Sequence, residues 1–185
     1  MAKLSFVSPV GIAKYPHLIE PDTNGKFATG KYVTKLILTP EEAKPFIATL
    51  KAAQAKHDMG ADAKLPYAPE TMKDGENKKK TGNIQFSFSS KFPPILIDPK
   101  NKTVKVNKLN EDFSVGGGSK LKVAGEMYFY DKGISLQMHQ VQILELVNTR
   151  PSMFDAADGT FDQSEFEDTG DDSADVGEDS SDLGI

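Results

Sequence analysis

Cysteine is absent from the 185 residues. That excludes disulfides, thiolate zinc sites and a cysteine nucleophile, and it fits a reducing compartment such as the cytoplasm. Tryptophan is absent too, so any ring stacking must come from Tyr, Phe or His. No apolar run reaches the ~18 residues a spanning helix needs. The opening Met1-Ala2-Lys3-Leu4-Ser5 lacks the apolar stretch of a secretory signal, so no membrane segment is expected. The three histidines, His17, His57 and His139, have no paired spacing, and no Ser–His–Asp or carboxylate-pair pattern stands out. The expectation is a protein that is not an enzyme and needs no metal or cofactor. One partial calcium-loop match, with Gly159 and Glu165 at the sixth and twelfth positions, fails because Phe154 and Ala156 stand where carboxylates are required.

The most telling absence is at the end of the chain. Residues 151–185 contain no lysine or arginine, against twelve Asp or Glu. Residues 1–150 hold all 22 basic residues against 15 acidic ones, a formal +7, so the net charge of −5 joins a basic body to a −12 tail. A basic body suits a polyanionic ligand. An acidic terminal block reads as a disordered interaction tail, because its carboxylates repel and its few apolar residues cannot make a core. The division expected is therefore 1–150 as one domain and 151–185 as tail. About 150 residues suffice for one core.

The body reads as mainly β. Leu4 and Phe6 alternate with Ser5, and a second extended stretch covers 10–15. Asn24-Gly25 predicts a tight turn into a strand over 27–38. Thr39-Pro40-Glu41-Glu42 is a capping box with proline at the first helical position. Phe46, Ile47, Leu50 and Ala53 continue it as an apolar stripe, fading near 57–60. Residues 60–83 read as loop, with Pro66, Pro69, Gly75 and the run Lys78-Lys79-Lys80. Residues 84–91 alternate, Phe86 and Phe88 facing a core. Short strands are expected at 95–97 and 103–106 around Asp98-Pro99-Lys100-Asn101. The run Gly116-Gly117-Gly118-Ser119 is not a phosphate loop, since it leads into a strand; it reads as a flexible loop. Strands over 120–130 and 134–147 form a long hairpin around Asp131-Lys132-Gly133. This pattern fits an OB-fold-like, five-stranded, partly open barrel with one helix after the first hairpin.

Chemistry is most legible on the strand 120–130. Leu121, Val123, Met127 and Phe129 point one way; Lys120, Lys122, Tyr128 and Tyr130 point the other. Lysines meet phosphates, and tyrosine rings stack on bases. The same face also fits an ordinary solvated surface. Lys78, Lys79, Lys80, Lys91, Lys105, Lys120 and Lys122 are the candidate backbone contacts. Tyr128, Tyr130, Tyr67 and Phe92 are the candidate stacking rings, and Lys31 and Lys35 share a strand face.

In layout, nearly the whole chain resembles the single-stranded DNA-binding proteins of tailed bacteriophages. The resemblance rests on the opening Phe6 to Tyr15, on Gly116-Gly117-Gly118-Ser119-Lys120-Leu121-Lys122-Val123 running to Tyr128-Phe129-Tyr130, and on the ending Asp179 to Ile185. It implies an OB-fold body that coats single strands with little sequence preference during phage DNA replication, recombination and repair in the host cytoplasm. It implies a tail that weakens DNA binding and recruits replication proteins, polymerase and helicase-primase, through Asp179, Asp182, Leu183 and Ile185. Family tails commonly end in an aromatic residue; Leu183-Gly184-Ile185 keeps an apolar tip without the ring. Members differ in oligomeric state, a homodimer being one form. The alternatives are an RNA-binding OB protein and an acidic-tailed protein-interaction or chaperone-like module.

Overall fold

The computed structural model describes residues 4–23, 25–26, 28–74, 77–105 and 114–147. In chain order the elements are β1 (Leu4–Val7), β2 (Gly11–His17), β3 (Tyr32–Leu38), α1 (Pro40–Lys56), β4 (Tyr67–Asp74), β5 (Asn77–Ser90), β6 (Ile95–Ile97), β7 (Lys120–Tyr130) and β8 (Gly133–Glu145). Five strands close a ring in the order β7, β2, β3, β5, β8 and back to β7. Neighbours run antiparallel except β5 and β8, which are parallel and share only the pairs Phe88–Leu136 and Ser89–Gln137. The expectation of a mainly β body with one helix after the first hairpin is met.

Alternation sets the inside of the ring. Leu36, Leu38, Phe86, Phe88, Leu121 and Val123 are all buried there. On β8 the buried residues are Ile134, Leu136 and Met138, then Val141 and Ile143. The phase changes because Ala124 faces Gln140 while Gly125 faces Met138, so His139 is an extra residue. Without that bulge one half of β8 would turn its apolar side outward. Between β1 and β2, Ser8 maintains the link to β7: its amide donates to Val123 O (2.8 Å), and its hydroxyl accepts from Val123 N (2.9 Å).

The helix begins as its sequence requires. Glu42 N donates to Thr39 Oγ1 (3.3 Å), and Thr39 N donates to Glu42 Oε2 (3.0 Å). Ala43, Phe46, Leu50 and Ala53 are buried. Phe46 lies 5.8 Å from Phe6 and 5.1 Å from Phe86, ring centre to ring centre. Burial of such a ring contributes about 1.5–3 kcal/mol. At the C-terminal end His57 stacks on Phe129 at 3.8 Å.

Four local expectations are corrected. Residues 60–83 are not a loop throughout: β4 and the first half of β5 form a hairpin arm. Residues 71–73 and 77–80 of that arm are exposed on both sides, so no apolar alternation marks it. β2 ends at His17 and β3 starts at Tyr32, so Asn24-Gly25 does not join the two strands directly as a two-residue turn. Gly25 does take a positive φ of 92°, but the loop is closed further out, where Asp22 N donates to Lys31 O (2.8 Å) and Gly30 N to Asp22 O (2.7 Å). Asn24 and Phe27 lie outside the described residues. Thr103 makes one bridge with Ile97 rather than starting a strand, and Val106 lies outside the described residues. The glycine run is tied down rather than free to flex. Gly116 N donates to Val147 O (2.6 Å), Gly118 N to Ala13 O (2.9 Å), and Val147 N to the buried Ser119 Oγ (2.9 Å).

Candidate nucleic-acid interface

Register fixes what the outer side of the ring carries. Ala13 and Leu36 are a buried pair, so the next pair, Lys14 and Lys35, faces outward, and Lys35 is opposite Ser87. Two residues further, His17, Val33 and Ser89 form a second outward row. Between these rows β2 has two residues, Tyr15 and Pro16, where β3 has only Thr34. Proline cannot donate to a ladder and sits naturally at such a bulge. The bulge puts Tyr15 at φ 50°, a conformation rare for a non-glycine residue, and leaves it 68% exposed. Lys14 Nζ lies 5.8 Å from the Tyr15 ring centre, within cation–π range.

Beside the second row is a cleft of about 790 Å³. Four aromatic residues line it: Tyr15, His17 and Tyr130, with the buried Phe88 at its base in the core. Lys35 and Lys64 bring positive charge, and Ser87, Ser89 and Ser135 bring hydroxyls. One carboxylate, Asp22, also lines it, as does Thr29. The Lys64 wall is built by the backbone. Lys64 N donates to Lys132 O (2.8 Å), and Ile134 N donates to Lys64 O (2.9 Å). The approach needs glycine at 133, where a Cβ would meet Lys64 O at 2.2 Å.

The arm is anchored beside the same face. Glu70 Oε1 accepts from Lys14 Nζ (3.0 Å), and its Oε2 accepts from Thr81 (2.7 Å) and Asn83 (3.1 Å). Burial pushes the Glu70 carboxyl up, but the hydrogen bonds from Thr81, Lys14 and Asn83, with the charge of Lys14, outweigh it and hold it below the ordinary 4.5.

The residues singled out from sequence fall in several places. Tyr130 lines the cleft; Tyr128 is on the same outward side of β7, half exposed, opposite the cleft residue Ser135. Lys120 and Lys122 lie at the other end of β7, about 26–33 Å from Tyr130 at 3.3 Å per residue. Lys120 is ion-paired with Glu145 at 2.7 Å. Lys122 borders a separate hollow with Val7, Ile97 and Gln142. Lys78, Lys79 and Lys80 are exposed on the arm. Lys91 and the 77% exposed Phe92 come just after β5 ends at Ser90, the residue next to the cleft residue Ser89. Lys105 is exposed, and Tyr67 packs its ring on Phe86 at 5.6 Å. Asp179, Asp182, Leu183 and Ile185 lie outside the described residues. Tyr15, His17 and Lys64 were not singled out from sequence. The one available signal was a lysine and a tyrosine just before a proline inside an otherwise extended stretch.

No protein-family model matches the sequence, and neither does any curated protein. Solved structures do match by shape. The single-stranded DNA-binding protein gp2.5 of bacteriophage T7 superposes with a TM-score of 0.54 at 19% identity, over 82% of this chain and 92% of that one. The single-stranded DNA-binding protein of bacteriophage Enc34 gives 0.56 at 14% identity, over 82% and 87%. The same Enc34 protein in complex with single-stranded DNA gives 0.53 at 15% identity, over 80% and 88%. At these identities the likeness is one of fold, and it is the fold the sequence resemblance implied.

Proposed function

We propose that residues 1–150 bind single-stranded DNA with little sequence preference, by laying bases on Tyr15, His17 and Tyr130 while Lys35 and Lys64 meet phosphates. The observation that carries this reading is the cleft itself. Exposed rings interleaved with cations are what an unpaired strand needs, and ring stacking is worth roughly 1–3 kcal/mol per base without regard to base identity. The fold shared with phage single-stranded DNA-binding proteins, one of them solved with its DNA, supports the same reading. On this reading the protein acts by binding rather than catalysis, coating strands in phage DNA replication, recombination and repair in the host cytoplasm.

The acidic residues 151–185 complete the proposal. Twelve carboxylates on a tether compete with phosphates for the basic body, and Asp179, Asp182, Leu183 and Ile185 recruit replication proteins with basic pockets. Filter binding to oligo-dT, oligo-U and duplex DNA tests the proposal. Tight, salt-sensitive binding of oligo-dT supports it. Equal or tighter binding of oligo-U favours an RNA-binding protein, and no binding of any of them favours a protein-interaction module.

A further inference from the structure

The arm formed by β4 and the first half of β5 is not part of the cleft lining. Beyond its root it is a two-stranded ribbon with the pairs Thr71–Lys80, Met72–Lys79 and Lys73–Lys78. All six of these residues are exposed. The root, by contrast, is clamped: Glu70 is buried and holds Lys14, Thr81 and Asn83, and Lys14 also donates to Thr71 O (3.2 Å). Gly82, at φ 90°, makes the bend between Thr81 and Asn83. A ribbon held rigidly at one end and open along both sides is built to meet something outside the ring.

Its composition says what. Residues 68–85 contain no Phe, Tyr, Trp or His. Lys73 and Lys78 stand directly opposite each other, a like-charge pair that destabilises the free protein and that a polyanion would relieve. Lys73, Lys78 and Lys80 share one side of the ribbon, and Lys79 and Met72 the other. Asp74 and Asn77 form the outermost pair, so the positive charge lies on the stretch behind them. An unpaired strand is held by rings together with cations. A ring-free ribbon supplies only the second. In duplex DNA the bases are already stacked and paired, and charge contact is made with phosphates. The major groove, about 12 Å wide, admits a two-stranded ribbon. Lysines on both sides of the ribbon could then reach phosphates on both walls.

We infer that the arm is a duplex-DNA contact, so that the protein recognises a junction in which a single strand enters the cleft and the adjoining duplex takes the arm. This rests on the single-strand reading of the cleft. The test measures the full chain on three labelled DNAs: oligo-dT, a blunt duplex hairpin, and the same hairpin carrying the oligo-dT as a tail. It is repeated for the variant Lys73→Gln/Lys78→Gln/Lys80→Gln and for the corresponding triple arginine variant. The wild type should bind the tailed hairpin more tightly than oligo-dT and with a steeper salt dependence. The glutamine variant should lose that advantage, with the junction salt slope falling by about one per lysine removed, while its oligo-dT affinity and melting temperature stay unchanged. Arginine should restore the advantage. Equal wild-type affinities for tailed hairpin and oligo-dT would overturn the junction proposal alone. So would an equal loss on both DNAs in the glutamine variant, which would assign these lysines to the single strand. Failure of the wild type to bind oligo-dT would overturn the single-strand reading and the junction with it.

Discussion

Lys14 Nζ on β2 lies 3.0 Å from Glu70 Oε1 on β4, although β3 and β5 separate those strands in the sheet. At about 4.8 Å per strand an in-plane path would exceed the reach of a lysine. The arm must therefore fold back over the outer side of the sheet, toward the row that holds Lys35. The ion pair is the fastening, and it couples the arm's root to the strand that displays Tyr15.

That fastening should depend on pH. Because hydrogen bonds and Lys14 hold the Glu70 carboxyl below the ordinary 4.5, its contribution is complete above that value and is lost as the pH falls through the lower folded value. Stability measured by denaturant should fall on acidification in this window. Glu70→Gln should flatten that segment of the profile. Glu70→Ala should cost about 1–3 kcal/mol at neutral pH, since it takes the carboxylate acceptor from Thr81 and Asn83 and leaves Lys14 only Thr71 O.

The cleft rings can be tested against each other. Tyr15→Ala and Tyr130→Ala should each weaken oligo-dT binding by roughly 1–3 kcal/mol with little change in melting temperature. Tyr128→Ala, outside the cleft lining, should lose less. If Tyr128 dominates, the strand runs across β7 and the cleft is the wrong site.

Salt should separate the two charged halves of the chain. If the body meets about four phosphates, log affinity should fall against log salt with a slope of roughly −3. A tethered tail can reach millimolar effective concentration. A chain ending at Arg150 should therefore bind oligo-dT more tightly than the full chain at low salt, and the gap should close as salt rises. It should also lose pull-down of the cognate polymerase. Equal low-salt affinities would remove the competition, and retained polymerase binding would separately remove the recruitment.

Gly133→Ala should damage fold and binding together. The added methyl would meet Lys64 O at 2.2 Å, far inside van der Waals contact. Overpacking of this kind costs about 1–3 kcal/mol, sometimes more. Separation of the 64–66 wall from β8 should also open the cleft, seen as weaker oligo-dT binding in whatever fraction remains folded.

Much of the architecture was readable from local signals, because those signals are local physics. The Thr39–Glu42 capping box, the stripe of Phe46, Leu50 and Ala53, and the alternation on β7 each state a preference that the fold keeps. The charge division at residue 150 is likewise a matter of composition alone. What the sequence could not state was which residues meet across long separations. The arm was hidden because a ribbon exposed on both sides has no apolar period to detect. Lys120 and Tyr130 share a strand side yet stand at opposite ends of it, so sharing a side did not mean sharing a site. Tyr15 becomes a cleft residue only because a bulge opposite Thr34 turns it out, and Lys64 only because its backbone docks on Gly133. Pairing register and the closure of the ring decide such neighbours, and both are set by the packing of the whole core rather than by any segment within it.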